Sequence, residues 1–217
     1  MIYVYGDSFA YGSDLKPNDR NVAVWLGKEL QTRVVNRSMP GNSNVVMCHQ
    51  LIEDITLSKL NPGDMVFVCF TETTRFSAWD EQLADAQSTE LSKYTPIFPA
   101  GHSPSRHHEL FKWSCTSDQG IYDLAHCIIT MYNACKCNNI QLVFGYAFGT
   151  TISEYKSETM GTKREDMITC IENKDIKIAN KRFSEFEENY QYGTHPNADT
   201  HKKYAQYIAS YFKGQTT

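Results

Sequence analysis

The stretch MIYVYGDSFAYG, residues 1–12, joins a short apolar run to glycine and small polar residues. Residues 2–5 are all β-branched or aromatic, so the run predicts a buried strand that ends at Gly6. Ser8 then lies just beyond the carboxyl end of this strand. In open α/β sheets, this is the edge at which ligands bind and chemistry takes place.

An alternation of helix and strand patterns continues along the chain. Helical apolar spacing occurs at residues 22–30, 45–60, 120–136 and 197–213, and strand-like runs occur at 33–36, 65–70 and 141–148. The run at 65–70, MVFVCF, is the most apolar and predicts the centre of the sheet. This alternation predicts an α/β fold, a three-layer α/β/α sandwich around a parallel sheet of about four or five strands.

The topology of such a sheet brings distant loops together. Right-handed crossovers place every strand-to-helix loop at one edge, and here those loops begin at Gly6, near Ser38, at Thr71 and near Phe148. We expect one domain spanning residues 1–217, with an irregular insertion at about 77–117 that has no sustained period. The polar segment 153–167 also predicts irregular structure.

Composition narrows the range of partners and cofactors. The net charge of -4 gives no basic surface for nucleic acid, and the apolar runs are too short for a membrane span or a signal peptide. We therefore expect a cytoplasmic protein without nucleic-acid or membrane partners. The seven cysteines are irregularly spaced, and neither Cys135 and Cys137 nor the histidines within 102–108 have further ligands at metal-site spacing. We expect reduced thiols and no metal.

Three separated motifs carry a resemblance to a known family. GDSFAYG at 6–12, NRSMPGNSN at 36–44 and GTHPNADTHKKYA at 193–205 together resemble the SGNH, or GDSL-type, hydrolases. Their spacing is most similar to that of the short forms found in bacteriophage genomes. The resemblance covers most of the chain, and it implies a flavodoxin-like α/β/α sandwich, the fold that the periodicity also predicts.

The resemblance implies roles for several residues. Ser8 matches the nucleophile and His195 the base, since a serine hydroxyl needs a base to accept its proton as it attacks a carbonyl. Gly41 matches the glycine whose backbone N–H holds the oxyanion together with the N–H of Ser8. Asn44 lies nearby, where it would either donate a further hydrogen bond to the oxyanion or cap the following helix, a role that Ser43 could also fill.

The chain departs from the family pattern at two places. Thr73 falls where the family carries an asparagine that completes the oxyanion hole. The threonine hydroxyl can also donate a hydrogen bond, but it reaches less far than an asparagine side chain. Tyr192 stands where the family carries an aspartate three residues before the histidine. We therefore expect a Ser-His dyad in which a backbone carbonyl accepts the imidazole N–H. The alternative is that catalysis has been weakened or lost.

Two further side chains have open interpretations. The Arg75 guanidinium would hold an anionic group of the substrate, or form a salt bridge with a carboxylate of the insertion. His201, in the final helix, is expected to be exposed.

These residues predict a serine esterase. We expect it to remove a small acyl group, such as acetyl, from a small-molecule or glycan ester with hydroxyl groups, without a metal or organic cofactor. The alternative is a weakened or inactive protein of the same fold that binds a glycan or a protein partner. Phosphate or nucleotide binding at the Gly6 loop is a third hypothesis, although the sequence has no G-x-x-x-x-G-K-[ST] loop. The sequence does not predict the oligomeric state.

Overall fold

The structure is a computed structural model, and it describes residues 1–73, 76–79, 94–97, 117–148, 151, 152, 154, 163–172, 174–188, 190, 191 and 194–215. Its helices and strands are β1 (Ile2–Tyr5), α1 (Ser8–Tyr11), α2 (Val22–Glu29), β2 (Val34–Asn36), α3 (Asn44–Thr56), β3 (Met65–Phe70), β4 (Phe76–Trp79), β5 (Tyr94–Ile97), α4 (Ser117–Cys137), β6 (Gln141–Tyr146), α5 (Lys163–Glu172), β7 (Lys177–Arg182) and α6 (Ala198–Phe212). A 3-10 helix, Phe183–Phe186, lies between β7 and α6.

Five parallel strands form one sheet in the order β2-β1-β3-β6-β7. Ile2 of β1 is in register with Val34 of β2 on one side and with Met65 of β3 on the other. The apolar run MVFVCF is the central strand, as its composition predicts. The predicted α/β fold with a parallel sheet is therefore confirmed.

Helices cover both faces of the sheet, because alternate residues of each strand point to opposite sides. Tyr3 and Tyr5 of β1 pack with α3, α4 and α5 in one buried cluster. Ile2 and Val4 pack with α1, α2 and α6 in the other. This arrangement gives the three predicted layers, and it brings the helices that follow β1 and β7 to the same face.

Two predictions of irregular structure differ from what is observed. Helix α5 begins at Lys163, inside the segment predicted to be irregular, and the edge strand β7 has no counterpart among the predicted strands. Within the predicted insertion at 77–117, β4 and β5 form an antiparallel pair in which Phe76 is in register with Ile97. Ser117 is the first residue of α4, and the other residues of that insertion, Cys115 included, lie outside the described residues. Within the described ranges, no helix has the length and apolar character needed to cross a membrane.

Candidate active site

Ser8 is the first residue of the short helix α1. Asp7 caps this helix, since its Oδ1 accepts a hydrogen bond from the Phe9 N–H over 2.9 Å. Its other oxygen, Oδ2, accepts one from Thr71 Oγ1, also over 2.9 Å. The Ser8 N–H belongs to the first turn, where helix N–H groups have no partner within the helix. The sequence GDS thus forms a capped helix start, with the serine at the carboxyl edge of the sheet.

Gly6 leaves no room for a side chain at the end of β1. A Cβ atom there would stand 2.5 Å from Ala10 Cβ, and 3.3 Å from both Cys69 Cβ and Ser38 Oγ. The nearest of these atoms belongs to α1 itself, and it could not withdraw without moving that helix. Gly6 therefore allows α1 to pack directly against the end of β1, which determines where Ser8 lies.

The side chain that follows Ser8 joins this segment to the histidine segment. Phe9 is buried, and its ring centroid lies 4.7 Å from that of Phe148 and 6.1 Å from that of Tyr190. The His195 ring approaches Phe9 edge-on, with 5.6 Å between ring centroids. The fold therefore brings His195 beside the residue adjacent to Ser8. In the part of the chain that the structure describes, no hydrogen bond joins the Ser8 hydroxyl to His195.

The segment that carries His195 is anchored where α6 begins. Asn197 is the N-cap of α6, and its side chain accepts hydrogen bonds from the N–H groups of Asp199 and Thr200. Asn197 also donates to the Glu187 carboxylate from its backbone N–H over 3.0 Å and from Nδ2 over 2.6 Å. Thr200 Oγ1 donates to the same carboxylate over 2.7 Å. Asn197 and Thr200, two motif residues with no proposed role in catalysis, thus hold the segment that carries His195 in place.

The hydrogen-bond partner of His195 Nδ1 differs from the prediction. His195 Nδ1 lies 2.6 Å from Asp14 Oδ2, so the ring nitrogen faces a carboxylate rather than a backbone carbonyl. The predicted Ser-His dyad is therefore wrong in this detail, because the bonding partner is a side chain remote in sequence. None of the three motifs, at 6–12, 36–44 and 193–205, includes Asp14. Tyr192, where the family pattern has its aspartate, lies outside the described residues.

Gly41 lies in the loop between β2 and α3, at the same edge as Gly6. Its φ of +79° lies in the left-handed region that favours glycine. The loop is tied to the end of β1, because the Met39 N–H donates to the Gly6 carbonyl over 3.0 Å and Asn42 Nδ2 donates to it over 3.4 Å. The two glycine-containing motifs therefore meet at the carboxyl edge.

Asn44 makes a two-way contact with the residue after the central strand. Its Nδ2 donates to the Thr71 carbonyl over 3.1 Å, and its Oδ1 accepts from the Thr71 N–H over 2.9 Å. Ser43, rather than Asn44, caps α3 by accepting a hydrogen bond from the Val46 N–H. Asn44 thus holds the start of the segment at 71–73, and capping is not its role.

Thr73 is half-buried, and its backbone lies against helix α4. A Cβ atom on Gly120 of α4 would stand 2.4 Å from the Thr73 carbonyl oxygen. This close approach sets the path of the chain at Thr73, the position at which the resembled family carries an asparagine. Arg75 and Thr74 lie outside the described residues.

His201 differs from its predicted exposure, since its side chain is fully buried. Its Nδ1 accepts a hydrogen bond from the Val22 N–H over 3.0 Å, which joins α6 to the first residue of α2. Burial, and to a lesser extent the charge of His195, lowers the pKa of His201 to about 4. His201 is therefore a neutral structural histidine packed on Phe183, with ring centroids 4.8 Å apart.

No group of three histidine, cysteine or acidic side chains within the described residues has the geometry of a metal site. The histidines within 102–108 lie outside those residues.

The sequence matches no family model and no curated protein. Solved structures are similar in fold. A member of the lipolytic protein G-D-S-L family from Veillonella parvula is 13% identical, with a TM-score of 0.53 over 99% of this chain and 98% of that one. TesA is 12% identical, with a TM-score of 0.55 over 99% of both chains.

An acetyl xylan esterase from the rumen bacterium Butyrivibrio proteoclasticus is also similar in fold. It is 12% identical, with a TM-score of 0.53 over 99% of this chain and 63% of that one. At these identities the likeness concerns the fold alone. The protein has the α/β fold of the G-D-S-L lipolytic proteins.

Proposed function

We propose that the protein is a serine ester hydrolase in which Ser8 is the nucleophile and His195 the general base. One observation carries the proposal: His195 packs on Phe9 beside Ser8, and its Nδ1 is bonded to a carboxylate, which leaves Nε2 to accept a proton. A serine at a strand end with an oriented histidine is the arrangement that acyl transfer requires. The shared fold with G-D-S-L lipolytic proteins supports this reaction class.

In the proposed mechanism, Ser8 Oγ attacks the ester carbonyl while His195 Nε2 accepts its proton. The N–H groups of Ser8 and Gly41 stabilise the oxyanion of the tetrahedral intermediate. The Thr73 hydroxyl and the second Nδ2 hydrogen of Asn44, whose first is bonded to the Thr71 carbonyl, are further donors. His195 then returns the proton to the departing alcohol, which leaves an acyl-enzyme. A water molecule, deprotonated by His195, releases the acid and restores Ser8. The first step needs a hydrogen bond from the Ser8 hydroxyl to His195 Nε2. Catalytic hydrogen bonds are often long in the free enzyme and tighten only in the complex with substrate.

The substrate part of the proposal is a small acyl ester, such as an acetyl ester of a carbohydrate or similar glycan. The acetyl xylan esterase with the same fold supports this class of substrate. Arg75 would bind an anionic group on such a substrate. We also propose that the protein is cytoplasmic and is one of the short bacteriophage-encoded forms. We further propose that it acts without a cofactor and without nucleic-acid or membrane partners.

Labelling with a fluorophosphonate probe, followed by peptide mapping, tests the nucleophile directly. We expect the label on Ser8, and we expect Ser8→Ala to lose both the label and at least about a thousand-fold in the hydrolysis rate of p-nitrophenyl acetate. Ser13→Ala is the matched control, because Ser13 lies in the same turn and has no proposed role in the reaction. A folded wild-type protein that takes no label would favour the alternative, an inactive protein that binds a glycan or a protein partner.

A further inference from the structure

Asp14 contacts one of the two ring nitrogens of His195. We propose that Asp14 is the positioning residue of His195, with its carboxylate holding the imidazole so that Nε2 faces the Ser8 hydroxyl; the inference rests on the proposed function. The distance of 2.6 Å between Asp14 Oδ2 and His195 Nδ1 is that of a charge-assisted hydrogen bond. The two residues lie 181 positions apart in the sequence. The contact therefore exists only in the folded chain.

The backbone between Ser8 and Asp14 fixes the carboxylate relative to the nucleophile. Helix α1 ends at Gly12, whose φ is +88°, and the N–H groups of Gly12 and Ser13 both donate to the Ser8 carbonyl over 3.0 Å. Asp14 follows with a φ of +65°, in the left-handed region that aspartate, asparagine and glycine enter most readily. Asp14 thus directly follows the hydrogen-bonded turn that begins at Ser8, which keeps the two residues close in space.

The chemical effect of the contact is to select a tautomer. A neutral imidazole carries its single hydrogen on Nδ1 or on Nε2, and the hydrogen bond made by one nitrogen decides which. The Asp14 carboxylate favours hydrogen on Nδ1, which leaves the lone pair of Nε2 free to accept the serine proton. Once that proton has moved, the same carboxylate stabilises the imidazolium.

Three described groups act on the His195 ring: Asp14 from the turn after α1, Phe9 from α1 and His201 from α6. Phe9 carries no charge. His201 has a pKa lowered to about 4, because it is buried and lies near His195, so it is neutral between pH 5 and 9. Of these three described groups, Asp14 is therefore the one that brings a charge to the ring at neutral pH, and it does so through a hydrogen bond to Nδ1.

The exposure of Asp14 gives the contact two measurable properties. Its side chain is 80% exposed, while that of His195 is 25% exposed. Salt screens exposed charges, with a Debye length of about 10 Å at 0.1 M. We therefore expect kcat/KM to fall as sodium chloride is added. We also expect a small carboxylate from solution to reach His195 once the Asp14 side chain is removed.

Asp14→Asn tests the role in catalysis, since asparagine has the same shape and also accepts a left-handed backbone. We expect kcat/KM near pH 7 to fall about 10- to 100-fold with little change in KM. Asp19→Asn is the matched control. Asp19 is an exposed carboxylate of the same loop whose Oδ2 accepts from the Lys16 N–H over 3.3 Å, and its removal should leave kcat/KM unchanged.

Two further measurements separate positioning from a merely structural effect. Asp14→Gly should regain activity when formate is added, whereas Ser8→Ala should not. Nitrogen NMR of the His195 ring should show hydrogen on Nδ1 in the wild type and a shift towards hydrogen on Nε2 in Asp14→Asn.

An unchanged rate in Asp14→Asn, or an unchanged ring tautomer, would overturn the proposal. Failure of the proposed function appears differently, as a wild type that neither labels at Ser8 nor cleaves any ester. In that case, the NMR comparison still decides whether Asp14 orients the ring.

Discussion

Thr71, the residue directly after the central strand, donates a hydrogen bond from Oγ1 to Asp7 Oδ2 over 2.9 Å. Both residues are buried, Asp7 fully. The bond joins the end of β3 to the cap of α1, the helix that begins with Ser8. Asn44 holds the backbone of Thr71 from a third loop. The three loops at the carboxyl edge are therefore tied together at this threonine.

Replacing Thr71 by valine keeps the shape of the side chain and removes the donor. We expect the free energy of unfolding to fall by about 1–3 kcal/mol, because a buried carboxylate loses one of its hydrogen bonds. Urea unfolding of both proteins measures the change. Thr56→Val is the control, since Thr56 is exposed and its hydroxyl donates to the Ile52 carbonyl within α3. Equal losses in the two variants would contradict the role given to the Thr71–Asp7 bond.

Gly120→Ala should be destabilising although it lies in a helix. In a helix interior, alanine is ordinarily more favourable than glycine by about 1 kcal/mol. Here the new Cβ would stand 2.4 Å from the Thr73 carbonyl oxygen, so α4 or the segment at 71–73 must move. We expect a lower free energy of unfolding, measured in urea, and a lower kcat for ester hydrolysis. A variant that is more stable than the wild type would contradict this expectation, because it would show that the chain at Thr73 moves to accommodate the Cβ without loss of stability.

The elements that could be predicted from the sequence are those that are buried well enough to need a clear pattern of apolar residues. The strand MVFVCF lies between two other strands and is covered on both faces, so its residues are almost uniformly apolar. Strand β7, KIANKR, was missed because it is an edge strand in which Ala179 alone is fully buried. Helix α5, KREDMITCIE, was missed because its sequence is mostly polar, although Ile168 and Ile171 are buried among those of its side chains that the structure describes. Such elements depend on tertiary contacts more than on a local pattern.

The candidate site was predictable only where residues belong to motifs. Ser8, Gly41 and His195 could be proposed as site residues because each lies in one of the three motifs. Asp14 gave no signal, because it is a single acidic residue in a polar loop and its partner is remote in the chain. His201 did give a signal, since it precedes Tyr204 and Ile208 by three and seven residues and so shares their buried face. Its predicted exposure was wrong because the flanking residues are polar, whereas His201 itself turns to the buried face and bonds to the Val22 N–H.

Asp54 of α3 is a buried carboxylate that accepts four hydrogen bonds from three residues. Arg37 donates to it from Nε over 2.8 Å and from a terminal nitrogen over 2.6 Å, Lys59 Nζ donates over 2.9 Å, and the Tyr5 hydroxyl donates over 3.0 Å. Burial raises the pKa of Asp54, but these hydrogen bonds outweigh burial and the pKa lies below its ordinary value. The cluster fixes Arg37, which stands at the start of the loop that carries Gly41.

We expect Asp54→Asn to lower the free energy of unfolding at pH 7 by about 3 kcal/mol, because it leaves two cations without their partner. Since the pKa of Asp54 is lowered by folding, its contribution is present above about pH 4 and is lost as the pH falls further. Urea unfolding at pH 7 and pH 3 measures both effects. Glu53→Gln, at the neighbouring and more exposed position, should change the stability little; a similar loss there would contradict a specific Asp54 cluster.

His201 couples stability to pH in the opposite sense to a histidine that gains an acidic partner. Its pKa is about 4 in the folded protein, lowered by burial and by the charge of His195, against about 6.5 in an unfolded chain. Between these values the unfolded state binds the proton and the folded state does not. Stability therefore rises with pH from about 4 to about 6.5, and it falls as the pH decreases through that range.

We expect acidification from pH 6.5 to pH 4 to remove up to about 3 kcal/mol of stability through this one group. His201→Gln should flatten that part of the profile, because glutamine can accept the Val22 N–H but does not titrate. Urea unfolding at half-unit steps between pH 4 and 7 measures the slope. His126→Gln is the matched control, since His126 is exposed on α4 and its loss should leave the slope as in the wild type. A His201→Gln profile as steep as that of the wild type would place the acid sensitivity in other groups, and would contradict a neutral, buried His201 as its source.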